Sequence, residues 1–440
     1  MGLSCPMPMD EIEVGGDRYP CFRVESYLRV FSLHNKLSLL LGHVDDFSLV
    51  EEYWKRYKAI DPEHPTFSYH DGREKFVIPC YIHSDEGRTL KKSSIMVCNL
   101  QPVLGSNPDP DYDSSELHTN MKFTTWATRL LLFVMLKQAY KKNDRPLYAA
   151  WESVAAELVR LFEEGCTLVV RNVRITIYVC VVAAKGDWPL LAKLGRLARF
   201  FGRLARFFGR KSSAANAQGI CHLCYAGRPS HPYHDYTETA TWRATYLQHQ
   251  PHKPTFVPPF SVLPQHSALW YRAWFKGADT AAVCRWLETV YANRIAEQQN
   301  PSAYLIAIHG ALRVSNQLMH MLYRHGLFVS RANGNVIVST GYQFLNLYFT
   351  AAYEALQQRK TRFKLTPKYH ALTEIIDYVR RELMVTPHAS WVINPVTYSC
   401  QSDEDFVGKV SALSTAVARR SCHTQVLARY AIQLWQHWDS

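Results

Sequence analysis

Phe76-Val-Ile-Pro-Cys-Tyr-Ile-His83 runs straight into Ser84-Asp85-Glu86-Gly87-Arg88, and Val173–Ala184 runs into Lys185-Gly186-Asp187-Trp188-Pro189. These two stretches decide the fold. Each is a β-branched and aromatic run that reads as a buried strand. Each closes on polar, turn-forming residues that include an aspartate, so the expectation is two strands with a carboxylate at the end of each. A scaffold fixes such positions better than a loop does.

Working outward, Ser94–Leu100 reads as a second strand, followed by a turn-rich loop, Gly105–Ser115. Thr124–Leu136 is a third strand or a buried helix, which periodicity does not decide. Pro146–Glu164 is a helix with Leu147, Trp151, Val154, Leu158 and Leu161 on one face. Residues 1–75 read as a mixed, largely helical lead-in. Residues 225–300 are rich in Pro, His and aromatics and take no clear assignment. Thr280–Tyr323, Gly341–Arg359 and Pro367–Leu383 read as helical, Trp391–Tyr398 as extended, and the chain from Asp403 as helical again. Five segments follow: 1–75, 76–211, 212–250, 251–385 and 386–440.

The chain has 440 residues, enough for about three domains. Its composition, 47% apolar and 20% charged, is that of a globular protein rather than a disordered one. No apolar run approaches the roughly 18 residues that span a bilayer, so no membrane is expected. The first twenty residues lack a signal-peptide pattern. Eleven scattered cysteines do not form a disulfide framework, which points to reduced thiols in the nucleus or cytoplasm. Fifty Lys and Arg against 38 Asp and Glu leave a net charge of +12, which favours polyanions, nucleic acid first among them. An oligomer is compatible with all of this.

Three features could carry chemistry. The first is acidic: Asp85, Asp187 and the cluster Asp403-Glu404-Asp405, which opens the last helical region. Carboxylates repel, and a fold that gathers three of them usually does so around divalent metal. Mg²⁺ suits oxygen ligands and phosphate, and two such ions roughly 4 Å apart can drive phosphodiester chemistry. Each acid also has a structural reading. Asp85 lies in good turn chemistry, Asp187 can simply close a strand, and Ser402-Asp-Glu-Asp405 fits a capping box. The second feature is Cys221-x-x-Cys224 followed by His231 and His234, a spacing suited to tetrahedral Zn²⁺, with His222 as a rival ligand. The third is a tandem repeat, GRLARFF twice, which places Arg196, Arg199, Arg203, Arg206 and Arg210 on one helix face. Those arginines are either a rail for nucleic-acid phosphates or the solvated face of a packed helix. No Walker A loop, G-x-G-x-x-G, G-x-S-x-G or H-E-x-x-H is present.

The run from Gly186-Asp-Trp-Pro to Gly219-Ile-Cys-His-Leu-Cys224 resembles the core of CACTA-type (En/Spm-like) DNA transposases. More closely, the chain resembles a large, repetitive and uncharacterised group of dinoflagellate proteins with the same layout. Four segments carry that likeness: Ile82–Lys91, Gly186–Cys224, Leu365-Thr-Pro-Lys-Tyr-His370 and Asn394–Gly408. The resemblance covers most of residues 75–435. It implies an α/β fold with an RNase H-like core (a mixed sheet), a long, mostly helical insertion and a zinc knuckle. It also implies a metal-dependent DNA strand-cleaving or strand-transfer enzyme with Asp85, Asp187 and Glu404 as its acids, and Asp403 or Asp405 as rivals for the third. The chain departs from the pattern at Phe260–Ala268, where only His266 stands in place of an acid and paired histidines, and in its doubled Arg-rich heptad. Two alternatives stay open beside the enzyme: a nucleic-acid-binding protein without catalysis, and an interaction protein whose basicity is incidental.

Overall fold

In the computed structural model, which describes residues 5–14, 16–88, 93–106, 117–194, 220–221, 223–246, 259–264, 271–272 and 278–438, the two β-branched runs are neighbouring strands of one mixed sheet. The chain forms two units. The first comprises Met1–Gly195, Thr255–Phe275 and Thr397–Ser440; the second comprises Arg196–Pro254 and Lys276–Val396.

The sheet of the first unit holds β1 (Asp10–Val14), β2 (Asp17–Cys21), β3 (Val77–Arg88), β4 (Ser94–Pro102), then β7 (Leu130–Leu136), β8 (Cys166–Val170), β9 (Val173–Lys185) and β10 (Tyr271–Arg272). A separate small hairpin joins β5 (Leu104–Gly105) to β6 (His118–Thr119). Strand order is β1-β2-β7-β4-β3-β9-β10, with β8 beside β9. Neighbours from β1 through β3 are antiparallel, whereas β3–β9 and β9–β10 are parallel. Helices α1 (Val24–Leu33), α2 (Ser48–Ile60), α3 (Pro65–Tyr69), α4 (Thr125–Thr128), α5 (Lys137–Tyr140), α6 (Arg145–Glu163) and α7 (Trp188–Leu194) precede the second unit in the chain.

Several expectations change here. Ser84–Arg88 is not a break: β3 continues through it, paired with β4 as far as Arg88↔Ser94. The glycine that suggested a turn is there for packing. A Cβ on Gly87 would sit 1.7 Å from Ser411 Oγ, on a helix lying against the strand. Within residues 1–75, β1 and β2 extend the sheet through β7, beside helices α1, α2 and α3. Strand β8 is an addition. It turns into β9 at Arg171-Asn172, both with positive φ (50° and 64°), the backbone of a tight hairpin without the usual glycine. Thr124–Leu136 resolves into a short helix and then β7, whose seven residues are all buried. Pro79 sits in the central strand beside the irregularity at Cys80/Tyr81, where a missing backbone donor is tolerated.

After the second unit the chain adds α12 (Gln401–Thr415), packed on β3, and α13 (Cys422–Gln436), packed on β7. Both are amphipathic, with Phe406, Val407 and Val410 of α12 and Val426, Leu427, Tyr430 and Leu434 of α13 buried. The capping box expected at Ser402 does not form. The helix begins at Gln401 with Cys400 as N-cap, and Glu404 N–H already donates to Cys400 O at 2.8 Å.

The second unit is mostly helical: α8 (Ala278–Ala296), α9 (Ala303–Arg324), α10 (Arg331–Gln357) and α11 (Pro367–Val385), with a small pair β11 (Phe328–Ser330) and β12 (Trp391–Ile393). Residues 220–221 and 223–246 are irregular apart from a single 3-10 turn, Thr241–Thr245, and fold around buried Trp242, Ala226 and Ala240. Asn394 ties β12 to the end of α9, its amide donating to Leu322 O (2.8 Å) and Gly326 O (2.9 Å). No helix among the described residues is long and apolar enough to cross a membrane.

Candidate functional site

The register of β3 on β9 ends at His83↔Lys185. Two residues further along each chain stand Asp85 and Asp187, so their backbones lie at the same end of adjacent parallel strands, whose spacing is about 4.8 Å. A Cβ on Gly186 would lie 3.4 Å from Ser84 O, in keeping with that approach. Asp85 is 8% exposed and its Oδ1 accepts from Glu86 N–H at 2.7 Å. Asp187 Oδ1 accepts from Leu190 N–H at 2.8 Å and so caps α7. His83, Asp85 and Gly87 alternate onto the face of β3 that α12 covers, and Glu404, half-buried, lies in the first turn of that helix.

Asp403, beside Glu404, does something else. It is fully buried between Arg129 Nε (3.1 Å) and Lys185 Nζ (2.9 Å), both cations also buried. Burial favours its neutral form, but Lys185, His83 and Arg129 outweigh that and hold the carboxyl well below the usual carboxylate range. Arg129 spends its other donors on Asn120 Oδ1, Asn120 O and Thr128 Oγ1. Asp405 is half-exposed, paired with Lys409 (2.7 Å) and accepting from Thr125 Oγ1 (2.7 Å). Of the three neighbours, one is locked in the core and one is tied at the surface.

Among the described residues, two groups bring three or more Cys, His, Asp or Glu ligand atoms within 4.8 Å of one another: His83–Cys400–Asp403 and Cys221–Cys224–His370–Glu374. Asp85, Asp187 and Glu404 form neither. The first group lies in the first unit and is already served by protein cations on Asp403.

The second group lies wholly in the second unit and is fully closed. Cys221 and Cys224 come from the irregular segment; His370 and Glu374, four apart, share one face of α11. Cys221 Sγ lies 3.2 Å from Glu374 Oε1, Cys224 Sγ 3.3 Å from His370 Nε2, and His370 Nε2 3.4 Å from Glu374 Oε1. Leu223 N–H donates to Cys221 Sγ at 3.2 Å, as the turn of a C-x-x-C requires. Burial pushes both thiols up. Burial also works against a charged His370 ring, but Glu374 and Cys221 beside it prevail and raise its pKa to about 10. Trp242 packs edge-on to that ring, with centroids 4.6 Å apart. This buried cluster can hold a metal ion.

The paired thiols stand where the sequence pointed, and the histidines do not. His231 is exposed enough to face Thr241 Oγ1, at 3.1 Å from its Nδ1, and His234 packs edge-on to Tyr233. Neither is in the cluster. The partners come instead from well over a hundred residues downstream; His370 ends the Leu365–His370 segment already singled out, and an H-x-x-x-E pair at helical spacing is the signal that was there to read. Arg196, Arg199, Arg203, Arg206, Arg210, His222 and His266 lie outside the described residues. No protein-family model matches the chain, and no curated protein matches it.

Proposed function

We infer that the first unit is an RNase H-like DNA-processing core, of the kind the transposase resemblance implies, with Asp85, Asp187 and Glu404 as its acids. The observation that carries this reading is the β3/β9 register, which sets two aspartates at the same end of adjacent parallel strands. A helix bearing a third acid packs over that strand face. The sheet supports the same reading: three antiparallel strands (β7, β4, β3) followed by two parallel ones (β9, β10). In open α/β sheets, ligands bind outside the carboxyl ends of strands at such a change of direction. Two Mg²⁺ ions bound there would activate a water or a 3′-hydroxyl and stabilise the leaving oxygen of a phosphodiester. The chain's part is to hold the acids. The capping bond from Leu190 N–H orients one oxygen of Asp187, and α12 presents Glu404. The test is nicking of supercoiled DNA with Mg²⁺ or Mn²⁺. Asp187→Asn keeps the cap, since Asn serves as well as Asp, and is expected to abolish nicking while the melting temperature stays put. Equal nicking by wild type and variant sinks the catalytic reading.

A second reading, binding without cutting, draws support from Lys185 and Arg129, two buried cations within the same end of the fold. They offset acidic charge that a metal would otherwise neutralise. In that case the nicking assay is blank for the wild type while salt-sensitive DNA binding persists.

We further infer that the four-ligand cluster of the second unit holds structural Zn²⁺. Bonds of about 2.0–2.3 Å to a tetrahedral ion place ligand atoms about 3.3–3.8 Å apart, and the separations of 3.2, 3.3 and 3.4 Å lie at the short end of those edges. Two thiols, an imidazole and a carboxylate fill every tetrahedral position, so the ion would cross-link the segment to α11 rather than meet a substrate.

A further inference from the structure

We propose that the loop between α10 and α11 is a preformed phosphate-binding surface for the backbone of duplex DNA. From Ala355 to Thr373 the chain contains five Lys and Arg and no acid. All five, Arg359, Lys360, Arg362, Lys364 and Lys368, are exposed. Among the described residues Arg359, Lys360, Arg362 and Lys368 make no ion pair, and Lys360 Nζ contacts only Gln358 Oε1 (2.7 Å) and the Tyr304 ring. The basic residues further along α11 behave otherwise. Arg380 and Arg381, with Arg243, converge on the buried carboxylate of Asp377. The unit therefore uses some cations for its own architecture and leaves this group facing water.

The loop is also held in one shape. Arg359 and Phe363 have positive φ (55° and 52°), a conformation unfavourable for a non-glycine residue and an outlier for an aromatic one. The surroundings enforce it. Phe363 packs edge-on to Tyr304 and Tyr348, Lys360 N–H donates to Ala355 O at 2.8 Å, and Tyr233 Oη donates to Leu365 O at 2.8 Å. Strain retained in an exposed loop is a mark of a functional segment. Here Phe363 packs on the Tyr304 and Tyr348 rings while the cations stay exposed. A loop backbone held in one shape suits the regular phosphates of a duplex, because little loop entropy is lost on binding. With Phe363 turned in, the loop's one aromatic is not available to enter a bilayer.

The identity of the polyanion rests on the DNA reading above; the surface itself does not. The experiment uses the full chain and a fluorescein-labelled 30-bp duplex, titrated at several KCl concentrations. The variant is Arg359→Gln, Lys360→Gln, Arg362→Gln and Lys368→Gln together, and Lys360→Gln/Lys368→Gln is a milder control that leaves both positive-φ neighbours untouched. Each lost phosphate contact reduces the slope of log K against log salt by about 0.9. The fourfold variant should therefore lose about two to three units of slope and at least tenfold in affinity near 0.1 M salt, and the double variant about one to two units. Unchanged slopes in both, with the wild type still binding, overturn this surface while leaving DNA binding intact. Absence of wild-type binding overturns both. Loss of binding to phosphatidylserine vesicles, with none to DNA, would reassign the loop to a membrane and overturn the proposal.

Discussion

The first unit buries a carboxylate between two cations; the second buries a carboxylate among two thiols and an imidazole. Asp403 and Glu374 both lie in helices and both are inaccessible, yet their surroundings ask for different things. Lys185 and Arg129 already supply Asp403 with positive charge, so the His83–Cys400–Asp403 group needs no ion despite its metal-like spacing. Beside Glu374 stand the Cys221 thiol (3.2 Å) and the His370 ring (3.4 Å), which can carry a proton. Short ligand distances are thus a weak criterion alone. What separates a metal centre from a buried ion pair is whether the protein has already neutralised its donors.

That contrast can be broken experimentally, and the largest effect is expected at the thiols. Cys221→Ser, or chelation, should release one zinc per chain, measured by metal analysis. It should also unfold the segment that carries the two thiols, with a folding cost on the order of 10 kcal/mol, as for other structural zinc sites. A protein that melts identically with and without metal would reduce the cluster to hydrogen-bonded thiols. Next comes Asp403→Asn, which strands two buried cations and should cost about 3–5 kcal/mol in chemical denaturation. Adding Lys185→Met should recover part of that loss; a double variant less stable than the single one would contradict the charge-balance argument.

The smallest effect concerns the histidines. His370 and His70 are both fully buried, but only His370 has a carboxylate partner. His70 sits among the rings of Phe162, Tyr178 and Tyr69, and burial, helped by Arg73, lowers its pKa from 6.5 to about 4. A depressed pKa means that stability is present above pH 6.5 and lost as pH falls through about 4. The loss should be no more than about 3 kcal/mol, read as a falling urea midpoint between pH 7 and 4. His70→Phe should flatten that profile, and an unaltered acid dependence would assign the sensitivity to other groups.

How much of this could be read from the chain alone varies by element. The β-branched runs at 77–83 and 173–184 read as strands because they are short, rich in branched and aromatic residues and bounded by turn formers, all of which is local. Hairpin β8–β9 escaped because Arg171-Asn172 takes a conformation usually advertised by glycine. The turn-like Ser84–Arg88 misled because Gly87 answers to Ser411, a residue more than three hundred positions away.

The sequence by itself determined the alternation of buried strands and amphipathic helices, the aspartates in the last part of one strand and just after another, and the Cys-x-x-Cys pair. Hydrophobic period and short spacings are properties of neighbouring residues, so they survive without a fold. Only the tertiary structure decided the company each group keeps. It set Asp187 beside Asp85 through strand register, gave Asp403 to Lys185 and Arg129, and brought His370 and Glu374, rather than His231 and His234, to the thiols. Charge balance and coordination depend on distances between remote segments, and those distances are fixed by packing, not by sequence separation.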